Sequence, residues 1–195
     1  MNLLINYSIF QSFPELESER LFFRRYTQDD SKPIFRLRSE PEVLKYIDMY
    51  PIQHLHQAEE FIEKNLDYYN KKEAISWAIV EKDSGLFVGN FAFWRLQPEH
   101  CRCEIGYALL PEFWGKGYLS ETLKVMLDFG FNKFSLHSIE AQVNPENERS
   151  ISVLERAGFK REAYFRENYL FDGKYIDTAI YSLLETDYYE MTGKE

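Results

Sequence analysis

The stretch Glu104-Ile-Gly-Tyr-Ala-Leu-Leu-Pro-Glu-Phe-Trp-Gly-Lys-Gly-Tyr-Leu-Ser-Glu-Thr122 holds the residue types best placed to do chemistry in this 195-residue chain. An alternating segment runs into Gly115-Lys116-Gly117, and a helical pattern follows. The two glycines let the backbone come close to a ligand. The free N–H groups of a helix's first turn, aided by its dipole, form a ready phosphate site. Lys116 adds positive charge in the same loop. On spacing alone, the glycines could equally serve a tight turn. Two familiar phosphate motifs are excluded. Ser120 stands where the dinucleotide fingerprint needs its third glycine, and the Gly-Lys-Ser/Thr of an NTP-binding loop is missing.

Cys101 and Cys103 are the two cysteines of the chain. Their spacing puts both on one face of a strand, where a bridge between them would be strained. With no further cysteine or paired histidine nearby they read as reduced structural thiols, and no metal site is expected.

The elements around the glycine loop follow from periodicity. The first strand is expected at Arg20 to Tyr26, followed by a helix capped by Asp29 or Asp30 and reaching about Arg38. A second helix spans about Gln57 to Asn70, with Phe61, Ile62, Leu66 and Tyr69 on one stripe. Ile75 to Glu81, Leu86 to Trp94 and Cys101 to Leu109 read as an antiparallel meander, separated by the turns Lys82 to Gly85 and Gln97 to His100. In the last of these, Cys103, Ile105, Tyr107 and Leu109 share one face, and Arg102, Glu104, Gly106 and Ala108 the other. The period then changes to 3.6 from about Gly117 to Phe131. A strand at Ser138 to Val143 and a helix at Asn147 to Ala157 follow. A hairpin, Phe159 to Phe171 and Tyr175 to Leu184, turns at Asp172-Gly173. The order gives an α+β arrangement around a mixed sheet.

Composition bounds the function. With 45% hydrophobic and 28% charged residues the chain falls in the globular class, and its 17% aromatics imply a ring-rich core or pocket. Nothing marks a domain boundary, so residues 1–195 are read as one domain. A net charge of -9 repels phosphate backbones, which argues against nucleic acid as a partner. Met1 to Phe10 lacks the basic start and small-residue cleavage pattern of a signal peptide, and the apolar runs fall short of the ~20 residues that cross a bilayer. No membrane association is expected, and the expected compartment is the cytoplasm.

Trp114-Gly115-Lys116-Gly117-Tyr118 followed by Ser120-Glu121 resembles the pyrophosphate loop of the Rim-type branch of the GNAT acetyltransferases. That branch acetylates the N-termini of ribosomal proteins. The resemblance runs along nearly the whole chain. Phe13, Pro14, Leu16, Arg20, Leu21, Arg24, Thr27 and Asp30 are similar to the family's opening. Asn144, Asn147, Ser150, Leu154, Glu155, Gly158, Phe159 and Glu162 are similar to its second signature, and Gly173, Asp177, Tyr181, Leu183 and Leu184 to its closing strand.

The resemblance implies a GNAT acyl-CoA N-acyltransferase fold: a mixed, mostly antiparallel sheet of about seven strands flanked by about four helices. It implies acetyl-CoA as donor, coenzyme A as product, and direct attack by a primary amine. By the resemblance that amine is the N-terminal α-amino group of a protein or peptide, such as a ribosomal protein. Ala108, Leu109 and Leu110 would hydrogen-bond the pantetheine arm as a strand does. The loop residues Trp114, Gly115, Lys116, Gly117, Tyr118, Leu119 and Ser120 would hold the pyrophosphate. Asn144, Asn147 and Ser150 would add contacts, although Asn147 equally suits a helix N-cap serving Arg149 or Ser150. A homodimer is left open.

For catalysis, Glu104 is the first choice of general base, with Glu162 as alternative and Ser150 as proton donor to the thiolate. Neither cysteine has a recognisable nucleophile setting. Phe91, Phe93, Trp94 and Tyr107 read mainly as core, with one or two walling the cleft.

Two positions depart from the superfamily pattern. Of Gln/Arg-x-x-Gly-x-Gly/Ala only Gly117 is present, Trp114 and Leu119 taking the first and last places, and Leu119 is expected to push the helix start away from the cofactor. Leu154 replaces the tyrosine that many members use to protonate the thiolate. These departures keep open a non-catalytic acetyl-CoA sensor; a second enzyme reading, an acetyltransferase of polyamines, amino sugars or amino acids, would be favoured by an enclosed acidic pocket.

Overall fold

The computed structural model describes residues 5–193. The strands are β1 (Leu16–Glu17), β2 (Leu21–Arg24), β3 (Ile75–Glu81), β4 (Phe87–Gln97), β5 (Arg102–Leu109), β6 (Ser138–Val143), β7 (Lys160–Phe171) and β8 (Lys174–Leu184). The helices are α1 (Ser31–Ser39), α2 (Pro41–Leu44), α3 (Leu55–Asn70), α4 (Tyr118–Asn132), α5 (Glu148–Arg156) and α6 (Glu185–Thr192).

The strands form a single sheet in the order β1-β2-β3-β4-β5-β6-β8-β7. All neighbours are antiparallel except β5 and β6, which run parallel. The α+β GNAT fold is thus present, with eight strands and six helices among the described residues where about seven and four were expected.

The additions are short or terminal. Two residues in β1 show no period, and α2 is one turn begun by Pro41. α6 carries Glu185 and Asp187 in its first turn, where they favour the helix dipole, and stacks Tyr188 on Phe131 at 4.8 Å. It includes Met191, whereas Lys194 and Glu195 lie outside the described residues, as do Met1 to Leu4.

Alternation along the strands separates two covered faces. On one, Trp77, Phe91 and Phe93 are fully buried, and Trp77 meets Phe93 at 5.8 Å and Phe129 of α4 at 5.6 Å, edge on. Gly130 lets α4 lie this close. A Cβ there would sit 3.0 Å from Ile139 Cδ1 and 3.2 Å from Phe93 Cζ. On the other face, Ser76 of β3 donates to Asn65 of α3 at 2.7 Å, and α1 packs against α3.

One detail of the meander differs from expectation. Pro98–His100 form a 3₁₀ turn, and Cys101 ends it in the left-handed region at φ 47°, outside the strand. The two cysteines therefore do not share a strand face. Both are buried and free.

Candidate active site

β5 and β6 pair only at Arg102↔Ser138, Cys103↔Ile139 and Glu104↔Glu140, and then part. The fork between them opens into a cleft of about 1930 Å³. Pockets for one drug-sized ligand measure about 300–1,000 Å³, so this cleft has room for a large cofactor and an acceptor together.

The backbone along the fork is partly spoken for. Leu110 donates its N–H to the Val88 carbonyl at 2.9 Å. By the alternation of an antiparallel ladder, Ala108 and Gly106 also turn toward β4, whereas Tyr107 and Leu109 direct N–H and C=O into the fork. The indole Nε1 of Trp114 takes up the Leu109 carbonyl at 2.8 Å. Of the three strand residues named from the sequence, Ala108 and Leu109 line the cleft and Leu110 is buried away from it.

The glycine loop closes one end of the cleft. Gly115 and Gly117 both have positive φ, at 71° and 80°, and Gly117 is the N-cap of α4. The first backbone bond back to the cap comes from Glu121 N–H at 3.0 Å, so the N–H groups of Tyr118, Leu119 and Ser120 have no partner within the helix. Helix dipole and open amides make this an anion site. Lys116, Gly115 and Gly117 are exposed beside it. Leu119 packs partly against the core, and α4 begins at Tyr118 regardless.

An acidic residue stands in this same first turn. Glu121 is tied to Arg20, which bonds it through Nε at 2.7 Å and through its backbone N–H at 2.8 Å. Ser18 donates to the same carboxylate at 2.6 Å, and Arg20 also donates to the Lys116 carbonyl at 3.0 Å. The carboxylate is thereby neutralised and the loop held.

Glu104 sits where the fork begins. It is 6% exposed, and its carboxylate accepts from Arg95 at 2.8 Å. Burial pushes its pKa up to about 7, against the lowering pull of Arg95. Arg95 has φ 48° and lies within the irregular stretch between Trp94 and Gln97, a bulge that the sequence did not announce.

Around the far wall, Asn147 caps α5 by accepting from Ser150 N–H at 3.2 Å, and Asn144 accepts from Glu146 N–H at 2.9 Å. The Ser150 hydroxyl lies 2.8 Å from that of Tyr107. Tyr107 therefore walls the cleft, and its phenol is pushed up to about 12 by burial. A tyrosine on an apolar strand face must find its hydroxyl a partner, and that was the signal available in the sequence. Arg149 adds a cation over Trp114 at 5.5 Å. Leu154 is fully buried. Glu162 is exposed on β7 and stands outside the cleft lining.

A sheet split between two parallel neighbours, with a glycine-capped helix at its mouth and a buried carboxyl at its root, is the frame of an acyl-CoA N-acyltransferase. Residues 20–160 match the acetyltransferase (GNAT) domain, and the chain belongs to that family. YoaA, an uncharacterized N-acetyltransferase of Bacillus subtilis (strain 168), is 34% identical over 89% of this chain and 98% of its own. The spermidine N(1)-acetyltransferase of Vibrio cholerae is 23% identical over 88% of this chain and 96% of its own.

Among solved structures, a GNAT-family acetyltransferase from Bacillus anthracis superposes with a TM-score of 0.79 at 28% identity, covering 89% of this chain and 99% of that one. RimL, a ribosomal L7/L12 α-N-protein acetyltransferase in complex with coenzyme A, gives 0.80 at 18% identity over 88% and 98%. The likeness to RimL is one of fold. The chain is an acetyl-CoA-dependent N-acetyltransferase. No helix among the described residues is long and apolar enough to cross a membrane.

Proposed function

We propose that the chain acetylates the free α-amino group of a protein or peptide, with Glu104 as general base. When bound, acetyl-CoA supplies a thioester carbonyl open to attack by a neutral amine. The loop amides at Tyr118, Leu119 and Ser120 suit its pyrophosphate, and the fork-facing backbone groups of Tyr107 with the N–H of Leu109 suit its pantetheine arm.

The observation that carries the reading is the Glu104 carboxyl, buried and raised to about 7. Moving a proton to it from an α-ammonium of pKa ~7.8 is uphill by about 1 kcal/mol, whereas from an alkylammonium of ~10.4 it is uphill by about 4.6 kcal/mol. The base is better matched to the first acceptor than to the second.

A second reading has its own observation. Glu42, Asp48 and Asp177 line the cleft together with Glu104, and such a wall suits a small polycation. The test is a panel of peptides with free or blocked N-termini, polyamines and amino sugars, incubated with acetyl-CoA and followed by thiol release and mass spectrometry. Acetylation of free N-termini is expected. Acetylation of polyamines alone would replace the first reading by the second, and coenzyme A binding with no thiol release across the panel would leave only a binding module.

A further inference from the structure

Glu104, Tyr107 and Ser150 all line the cleft, and the hydroxyls of the last two lie 2.8 Å apart. Departure of the thiolate needs a hydrogen-bond donor, and the α5 position that would offer one holds Leu154, a buried hydrocarbon. We propose that Tyr107 holds the Ser150 hydroxyl as a donor toward the cleft, where it stabilises the coenzyme A thiolate as it leaves. The inference rests on the acetyltransferase reading of this site.

The direction of the 2.8 Å contact decides what Ser150 can do. Either hydroxyl could donate in this contact; because a phenol is a stronger acid than an aliphatic alcohol, we assign Tyr107 as donor and a Ser150 lone pair as acceptor. The serine proton is then left over. The backbone of Ser150 is fixed as well, its N–H being held by Asn147 at 3.2 Å. With backbone and oxygen both anchored, the remaining O–H is free to turn toward the cleft that both residues line. Ser150 also lies in the first turn of α5, where the helix dipole favours negative charge.

Tyr107 holds Ser150 and does not feed it a proton. Burial sets the phenol at about 12, and a thiol titrates near ~8.5, so transfer from tyrosine to thiolate is uphill by about three powers of ten. In the balanced reaction the C–N bond forms as the C–S bond breaks, and sulfur leaves with the bonding pair. The amine proton passes to Glu104 and on to solvent. The thiolate, stabilised by Ser150, takes its proton from water. Tyr107 is thus a positioning residue.

The test titrates the thiol of coenzyme A bound to the full chain by its ultraviolet thiolate absorbance, with no acceptor present. Tyr107→Phe keeps the ring that stacks against Phe91 and removes only the hydroxyl. It is expected to raise the bound thiol's pKa by half a unit to one unit, a threefold to tenfold weakening of thiolate binding. Affinity for the thiol form at low pH should stay unchanged. Ser150→Ala should raise the pKa at least as far, and the double variant should match Ser150→Ala alone. An unchanged titration in Tyr107→Phe, or a tyrosine effect that persists without Ser150, would overturn the proposal while leaving the enzyme reading in place. Failure of the parent chain to bind coenzyme A would overturn both.

Discussion

Glu104 and Tyr107 stand three residues apart on β5, so their side chains leave opposite faces of the sheet at the point where it splits. One face offers a carboxyl near neutrality, the other a hydroxyl pair. An amine arriving from the Glu104 side and a thiolate departing on the Ser150 side would not compete for the same groups.

Glu104→Gln should lower kcat on the order of a hundredfold while leaving coenzyme A affinity within about twofold, because it removes proton transfer and spares the phosphate contacts. In the parent enzyme, activity should rise with pH through about 7, as the carboxyl ionises. The same substitution should affect stability. A carboxyl whose folded pKa is raised favours the folded state when protonated, and that contribution fades as pH climbs from about 4.3 through 7. Glu104→Gln should therefore raise the stability, and with it Tm, relative to the parent at pH 8 by on the order of 1–3 kcal/mol of unfolding free energy, and change it little at pH 4. Calorimetry at the two pH values checks this.

Arg95 pulls the Glu104 pKa down through the 2.8 Å ion pair. Arg95→Ala should shift the acid limb of the pH–rate profile upward, by about half a unit to one unit. A profile unmoved by this change would take Glu104 out of the rate-determining proton transfer.

Gly117 caps α4 at φ 80°, where a side chain is strained, and an added Cβ would meet only Arg20 Nη2 at 3.5 Å. Backbone conformation, not crowding, makes glycine necessary here. Gly117→Val should weaken coenzyme A at least tenfold, about 1.4 kcal/mol, as read by calorimetry on protein with an unchanged far-UV spectrum.

Arg20→Ala would leave the Glu121 carboxylate without its cation in the first turn of α4, beside the proposed phosphate site. Coenzyme A affinity should fall by about tenfold and recover in large part in Arg20→Ala/Glu121→Gln. Loss of affinity without recovery would assign Arg20 to a direct role.

Much of this frame was legible in the residues. Alternation marked β3, β4 and β5, and the change of period at Gly117 marked α4, because both elements bury one well-defined face. Ser138–Val143 has the bounds its pattern implied. The sequence was silent where structure depends on contacts distant along the chain. α6 follows from Tyr188 meeting Phe131, and the pairing of Arg20 with Glu121 crosses about a hundred residues. Glu104 was picked out for its position, but its burial and the Arg95 pairing come from a bulge that no turn signal marks. Tyr107 was assigned to the core because its ring does pack there. Only the fold brings Ser150 to its hydroxyl.

Three residue pairs hold β5 to β6, and beyond them the two parts of the sheet are joined by nothing across the fork's own backbone. The protein is, in effect, one strand short. A ligand lying in that gap would act as a splint, linking the β1–β5 half to the β6–β8 half, and at a hundredfold excess over its Kd it would add about 2.7 kcal/mol to the folded state by mass action. The supply of acetyl donor would then govern the enzyme's survival against unfolding as well as its turnover.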